Sequence, residues 1–302
     1  METKLNYKRT FLIGLAFLSI CSFWQMYDNI IPLILQNTYH LGETMTGAVM
    51  ALDNVLAIFL LPVFGTLSDK VHTKLGRRMP FIVAGTILAV IFMMLLPMID
   101  NAEKARWSTG ESFSNQVIFL AVLFFTLVSM GLYRSPAVAL MPDVTPNHLR
   151  SRANAVINLM GAVGGVYALI MIKVLVGKGE TPDYLPLFAS IAAVMVIAVG
   201  ILVITIRENK LREEVEKAET ANAGTIEEKA MAEGVEAAGE IEAVGDTGEA
   251  KASDGKQQMG KTENAKGMPK EVKRSMYFML ASIFLWFTAY NAVTTAFSRY
   301  TK

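Results

Sequence analysis

Three ionisable side chains lie deep inside long apolar runs of this sequence: Asp28, Asp53 and Arg134. A charge in hydrocarbon is costly, so such residues usually line a polar pathway or pair with one another. Two neighbouring carboxylates cannot both be ionised without a penalty, so one of them holds a proton or the pair shares a cation. These residue types therefore indicate proton or cation movement across a membrane. A fourth group, Lys173, lies near a helix end, where its side chain can reach the interface.

Asp28 and Asp53 fall at a similar predicted depth, roughly 10–14 Å below the same membrane surface at about 1.5 Å per residue. We predict that they form the cation-coupling pair; the alternative is two separate carboxylates with structural hydrogen bonds. The predicted depth of Arg134 is too different for it to meet Asp28. We expect Arg134 to pair with Asp69, with Asp143 or with a carbonyl, and substrate contact is the alternative.

The elements that carry these residues are long and apolar. The chain is 53% hydrophobic and only 18% charged, with a mean hydropathy of +0.39, whereas soluble domains carry about a quarter charged residues. Apolar runs of about 20 residues span a bilayer. We predict an all-α integral membrane protein with spans at 10–35, 44–68, 80–99, 117–141, 151–176, 185–206 and 275–297, and a polar loop over 100–116.

Polar side chains are concentrated in the first, second, fourth and fifth predicted helices, whereas the third and sixth have very few. We therefore expect four helices to enclose a polar interior and two helices to face lipid.

Lys and Arg are concentrated in the N-terminus and in the loops after the second and fourth helices. By the positive-inside rule this predicts a cytoplasmic N-terminus in a multi-pass protein of the plasma (inner) membrane. The net charge is only +1 and the basic residues are dispersed over several loops, so no nucleic-acid partner is predicted.

The chain divides into three predicted parts: a six-helix unit over 1–206, a flexible cytoplasmic linker over 207–273 and a seventh helix within 274–302. The linker is rich in Glu, Ala, Lys and Gly, a composition that cannot bury enough apolar surface to fold alone. Its first residues, 207–220, can extend the sixth helix through i,i+4 charge pairs. We expect the seventh helix to begin a second half, so the chain resembles a truncated transporter.

The loop after the second helix has the pattern G-x-L-S-D-K-x-x-T-K-x-G-R-R-x-P over residues 65–80. This pattern resembles the loop between helices 2 and 3 of the major facilitator superfamily. Residues 136–143, followed by Thr145, Pro146 and Arg150, resemble a second segment of sucrose-transporter-like proteins and of the glycoside–pentoside–hexuronide cation symporters. Val138 stands where that segment has arginine, and Arg134 lies one turn earlier.

The resemblance implies alternating access between two six-helix halves, with helices 1 and 4 lining the cavity, 2 and 5 gating it, and 3 and 6 facing lipid. It implies a proton-coupled sugar symporter, with sodium as the less favoured cation. The residues that offer sugar-binding chemistry are Trp24, Gln25, Asp28, Asn29, Tyr133, Asn154 and Asn158. The expected gating-loop residues are Gly65, Asp69, Lys70, Gly76, Arg77 and Arg78.

No nucleotide-binding loop, metal-ligand cluster or nucleophile–base arrangement is visible in the sequence, so no enzyme activity, cofactor or metal is predicted. The expected partners are a small-molecule solute, a proton or sodium ion, and the lipid bilayer. Two alternatives stay open: a proton-driven efflux transporter of drug-like solutes, and a truncated membrane fragment that does not transport.

Overall fold

The computed structural model describes residues 5–71, 73–107, 115–177, 182–217 and 219–220, and the single residues 274, 275, 278, 282 and 285. In this part of the chain the main elements are α1 (Tyr7–Asn37), α2 (Glu43–Lys70), α3 (Met79–Trp107), α4 (Gln116–Asp143), α5 (Arg150–Leu175) and α6 (Leu185–Thr205). A one-turn 3-10 helix, Asn147–Leu149, precedes α5, and a further helix, α7, covers 208–217.

All six helices α1–α6 are long and apolar enough to cross a membrane, and the described residues form no strand beyond one isolated bridge in the α2–α3 loop. The predicted all-α membrane fold is confirmed. Of the predicted seventh span, residues 275, 278, 282 and 285 are described and helical; its other residues lie outside the described part.

Helix α3 runs to Trp107 instead of ending at residue 99, so the first part of the predicted polar loop is helical. The additional turns carry a buried polar cluster. Asp100 is fully buried, and its carboxylate accepts hydrogen bonds from the Thr38 hydroxyl at 2.6 Å and from Lys104 Nζ at 2.6 Å. Lys104 also donates to the carbonyl oxygen of Pro182 at 2.7 Å. These bonds tie the end of α3 to the end of α1 and to the start of α6.

The six helices pack as two equivalent groups of three. Helix α1 packs against α5 and α6, α4 packs against α2 and α3, and α3 packs against α6. If α1 is exchanged with α4, α2 with α5 and α3 with α6, the contacts of α1 with α5 and α6 become the contacts of α4 with α2 and α3. Helices α2 and α5 have the fewest buried residues, and the buried residues of α2 are the polar Thr46 and Ser68.

Small residues let α1 and α5 approach closely. Gly164 on α5 is buried, and a Cβ atom at that position would collide with the carbonyl oxygen of Leu18 on α1. The Ser22 hydroxyl donates to the carbonyl oxygen of Gly164 at 2.9 Å. A Cβ atom at Gly161 would lie 2.9 Å from the sulfur of Cys21. The glycines of α5 therefore serve close helix packing.

Prolines occur inside four of the six spanning helices: Pro32 in α1, Pro62 in α2, Pro97 in α3, and Pro136 and Pro142 in α4. Helix α5 contains no proline, and the proline of α6 lies in its first turn. A proline inside a helix removes one backbone hydrogen bond and bends the helix.

Candidate functional site

A small cavity lies between α1, α2 and α4. Its polar lining consists of Trp24, Asp53 and Arg134, and its apolar lining of Leu56, Ala57, Leu60, Leu61, Leu127 and Gly131. Its volume of about 20 Å³ has room for about one water molecule. In this conformation the cavity admits a water molecule or a small ion, and any larger molecule would need the helices to move apart.

Arg134 lies over the indole ring of Trp24, with Cζ 5.5 Å from the ring centroid, a cation–π contact between α4 and α1. The expected pairing of Arg134 with Asp69 or Asp143 is not formed in the described part of the chain. Arg134 and Asp143 lie on the same helix, about 14 Å apart along its axis. Asp53 lines the same cavity and interacts electrostatically with Arg134.

Asp28 lies on an exposed face of α1, while Asp53 is half-buried on α2. The two carboxylates are close enough to interact electrostatically, and Asp53 accepts a hydrogen bond from Asn54 Nδ2 at 2.9 Å. Trp24, Asp28, Asp53 and Arg134 therefore belong to one neighbourhood.

Gln25 and Asn29 lie beside this neighbourhood on α1 and are half-buried. Asn29 Nδ2 donates to the backbone carbonyl of Gln25 at 2.7 Å, which leaves the side-chain oxygen of Asn29 and the Gln25 amide as free hydrogen-bonding groups among the described residues.

Tyr133 lies apart from the cavity. It is fully buried between α4 and α1, where its hydroxyl is 2.6 Å from Ser19 Oγ and donates to the carbonyl oxygen of Ala16 at 3.0 Å. Its hydrogen-bonding capacity is used within the protein, so the site we propose omits it.

Replacing Tyr133 with Phe is expected to lower the free energy of unfolding by about 1–2 kcal/mol, because the buried bond to the carbonyl oxygen of Ala16 is lost. For the transport function that the sequence predicts, the KM for solute should stay unchanged. Thermal unfolding in detergent and initial transport rates in proteoliposomes measure both quantities. An increase in KM above about threefold at unchanged stability would place Tyr133 in the solute site.

Asn154 and Asn158 are exposed on α5, near its start. Their neighbours Ile157 and Met160 pack at the level of Gly14 on α1, about 16 Å below the level of Gln25. The structure therefore does not bring the two asparagines together with Asp28 and Asp53.

A charge cluster lies at the end of the bundle that holds the α2–α3 loop, which we call the basic end. Arg78 binds Asp143 on α4 at 3.0 Å and Asp69 on α2 at 2.6 Å. Arg77 binds the same Asp143 oxygen at 2.9 Å and lies 3.8 Å from Asp69. The two arginines thus join the ends of α2 and α4.

The same loop fastens Arg78 to the last turns of α2. Arg78 Nη1 donates to the carbonyl oxygen of Gly65 at 3.2 Å and to the hydroxyl of Ser68. Gly76 has a φ of +126°, a conformation that favours glycine, and its N–H donates to the carbonyl of Thr73 at 3.1 Å. Lys70 is the last residue of α2. The predicted gating-loop residues therefore lie in one structural unit.

Glu208 is a residue of this cluster that the sequence interpretation assigned to the linker. The residue is only 1% exposed. Its carboxylate accepts hydrogen bonds from the backbone N–H groups of Arg77 at 2.8 Å, Arg78 at 3.0 Å and Met79 at 3.1 Å. The sequence interpretation allowed residues 207–220 to extend the sixth helix, whereas the structure has a break at residues 206–207 and then the separate helix α7. The sequence contains one signal for the contact of Glu208 with α3. No Ser, Thr, Asp or Asn directly precedes α3 to cap its first N–H groups, so an acceptor from elsewhere in the chain was needed.

Among the described residues, no group of three or more His, Cys, Asp or Glu side chains is arranged to hold a metal ion.

A family model for the Major Facilitator Superfamily matches residues 8–302. The sucrose transport protein SUC4 of Arabidopsis thaliana is 35% identical over 116 residues, which cover 36% of this chain and 22% of that relative. The sucrose transport protein SUT3 of Oryza sativa subsp. japonica is 26% identical over 137 residues, covering 43% of this chain and 27% of the relative. The aligned part of the chain thus covers less than a third of the length of each of these relatives.

Proposed function

This chain belongs to the Major Facilitator Superfamily, and from that premise we propose that it is a proton-coupled sugar symporter working by alternating access. It lies in the plasma membrane with its N-terminus in the cytoplasm. Support for a sugar comes from relatives that are sucrose transport proteins. Support for coupling comes from the ionisable groups between the spanning helices.

The observation that carries the proposal is the shared cavity of Asp53, Arg134 and Trp24 at the α1–α2–α4 contact. A carboxylate and a guanidinium inside a spanning bundle mark a proton or solute pathway. When Asp53 is ionised, its charge offsets that of Arg134. When Asp53 accepts a proton, Arg134 is left to bind an oxygen of the solute. Occupancy by proton and occupancy by solute thereby become linked.

Solute recognition in this proposal uses the side chains near the cavity. Trp24 supplies an aromatic face, while Gln25, Asp28 and Asn29 supply hydrogen-bonding groups on the same helix. The arginines of the basic end close one side of the pathway by joining α2 to α4, and they must exchange partners when that side opens.

The test is solute uptake into proteoliposomes that contain the purified chain, over a panel of mono- and disaccharides. A pH gradient and a sodium gradient are applied separately. We expect at least one sugar to accumulate under the pH gradient and to collapse to equilibrium when a protonophore is added. If neither gradient moves any sugar while a drug-like solute is exported against its gradient, the efflux alternative replaces this proposal.

A further inference from the structure

We propose that Glu208 is a positioning residue for the gating loop, and that α7 is a latch which uses it to hold the basic end closed. The inference rests on the proposed transport function, since it assigns a regulation to the same pathway. It begins from the three backbone N–H groups that donate to the Glu208 carboxylate.

The first N–H groups of a helix have no partner within the helix, so they need an acceptor from elsewhere. In α3 that acceptor is Glu208, whose negative charge also interacts favourably with the positive end of the helix dipole. The capped residues include Arg77 and Arg78. Glu208 therefore holds the backbone of the two residues whose side chains bind Asp69 and Asp143.

The bonds of the Glu208 carboxylate go to the start of α3, so its effect on α2 and α4 passes through the two arginines. With the carboxylate present, the start of α3 is held and both guanidinium groups are aimed at the ends of α2 and α4. Without the carboxylate, the N–H groups before and in the first turn of α3 lose their acceptor. The backbone that positions the two arginine side chains is then no longer held in place.

Helix α7 makes further polar contacts at the basic end, to the rest of the α2–α3 loop and to the start of α1. Asn209 Nδ2 donates to the carbonyl oxygens of Thr73 at 3.0 Å and Lys74 at 3.3 Å. Glu214 pairs with Arg9 at the start of α1 at 3.2 Å. Glu219, just beyond α7, accepts from the N–H of Asn147 before α5 at 3.2 Å.

Within the described residues of α7, only Leu211 and Val215 add buried apolar contact. The attachment of α7 is thus mostly polar, and it costs less to release than a spanning helix of the core. These features are those of a latch: polar contacts to the α2–α3 loop, to the start of α1 and, just beyond α7, to the α4–α5 connection, with one buried carboxylate at the centre.

The experiment measures amide hydrogen exchange in Glu208→Ala, in the full chain reconstituted in lipid. Glu216→Ala is the matched control, because Glu216 lies on the same helix, is exposed and pairs with Arg212 on that helix. We expect Glu208→Ala to accelerate exchange at the ends of α2 (residues 65–70) and α4 (140–143) about fivefold or more. Glu216→Ala should leave these rates unchanged.

Acceleration confined to residues 77–79 would overturn the proposal, because Glu208 would then be a local cap without influence on α2 and α4. If Glu208→Ala fails to insert, Glu208→Gln replaces it. Its neutral oxygen can still accept, so we expect a smaller acceleration at the same sites. Unchanged rates at α2 and α4 in Glu208→Gln would then overturn the proposal.

Transport adds a second readout that a merely destabilised fold would not change. A latch on one end shifts the balance between the two open states, so Glu208→Ala should change the ratio of KM values measured from the two membrane faces about fivefold. A lower folded fraction reduces Vmax only. If the unmodified chain moves no solute, the proposed function fails, while hydrogen exchange still decides on the latch.

Discussion

Replacing Asp53 with Asn is expected to abolish accumulation of solute under a pH gradient while exchange of solute across the membrane continues. The asparagine would keep the size and hydrogen-bonding capacity of the side chain but could not cycle between charged and protonated forms. One pH unit stores about 1.36 kcal/mol per proton, which corresponds to a tenfold concentration ratio. That ratio should fall to unity in the variant. Proteoliposome uptake and counterflow measure the two activities.

Asp28→Asn is expected to give the same loss, since the sequence predicts that Asp28 and Asp53 form the cation-coupling pair. The control is Asp183→Asn, because Asp183 lies outside the spans, where it accepts hydrogen bonds from Asn101 and from the N–H of Leu185. Accumulation in that variant should be unchanged. Wild-type accumulation in both Asp28→Asn and Asp53→Asn would exclude the coupling assignment.

Replacing Gly164 with Ala should cause the largest loss of stability among single methyl additions in the described bundle. The added Cβ would collide with the backbone carbonyl of Leu18, and backbone atoms cannot move aside without separating α1 from α5. Overpacking of this kind costs about 1–3 kcal/mol. The loss of the bond from Ser22 to the Gly164 carbonyl adds to that cost. Thermal unfolding of the purified protein in detergent measures the effect.

Gly200→Ala provides the matched control in α6, because a Cβ atom there has nothing within 4 Å. Its unfolding temperature should equal or exceed that of the unmodified chain, since alanine is the better helix former. Equal unfolding temperatures for the two variants would show that α1 and α5 are not packed as closely as the structure has them.

The spanning helices were predictable because a bilayer-length apolar run leaves the backbone few alternatives to a helix. Predicted and observed ends of α1, α2, α4, α5 and α6 agree closely. The end of α3 was missed because Asp100 looks like a loop residue in the sequence, whereas in the structure it is buried and accepts a hydrogen bond from Thr38 at the end of α1.

The site was predictable in residue type but only partly in position. Asp53, Arg134 and Trp24 attract attention as polar groups in apolar runs, and the structure brings them to one cavity. Partner choice depends on which faces of the helices meet, and one sequence does not contain that information. Arg134 consequently lies against Trp24 and in the cavity that Asp53 lines, instead of pairing with Asp69 or Asp143, and Tyr133 points into a packed contact. Glu208 was missed because its polar surroundings in the sequence resemble a solvated tether.

The distribution of prolines has a mechanical consequence. A helix is least stiff where a proline removes a hydrogen bond, so the bending points of this bundle fall in α1, α2, α3 and α4. Helix α5 and the part of α6 after its first turn contain no proline, so we expect them to stay straight. Because α1 packs closely against α5, the proline-free helix α5 restrains bending of α1. Bending of the bundle is therefore expected in α2, α3 and α4, and the loop arginines join the ends of two of these helices, α2 and α4.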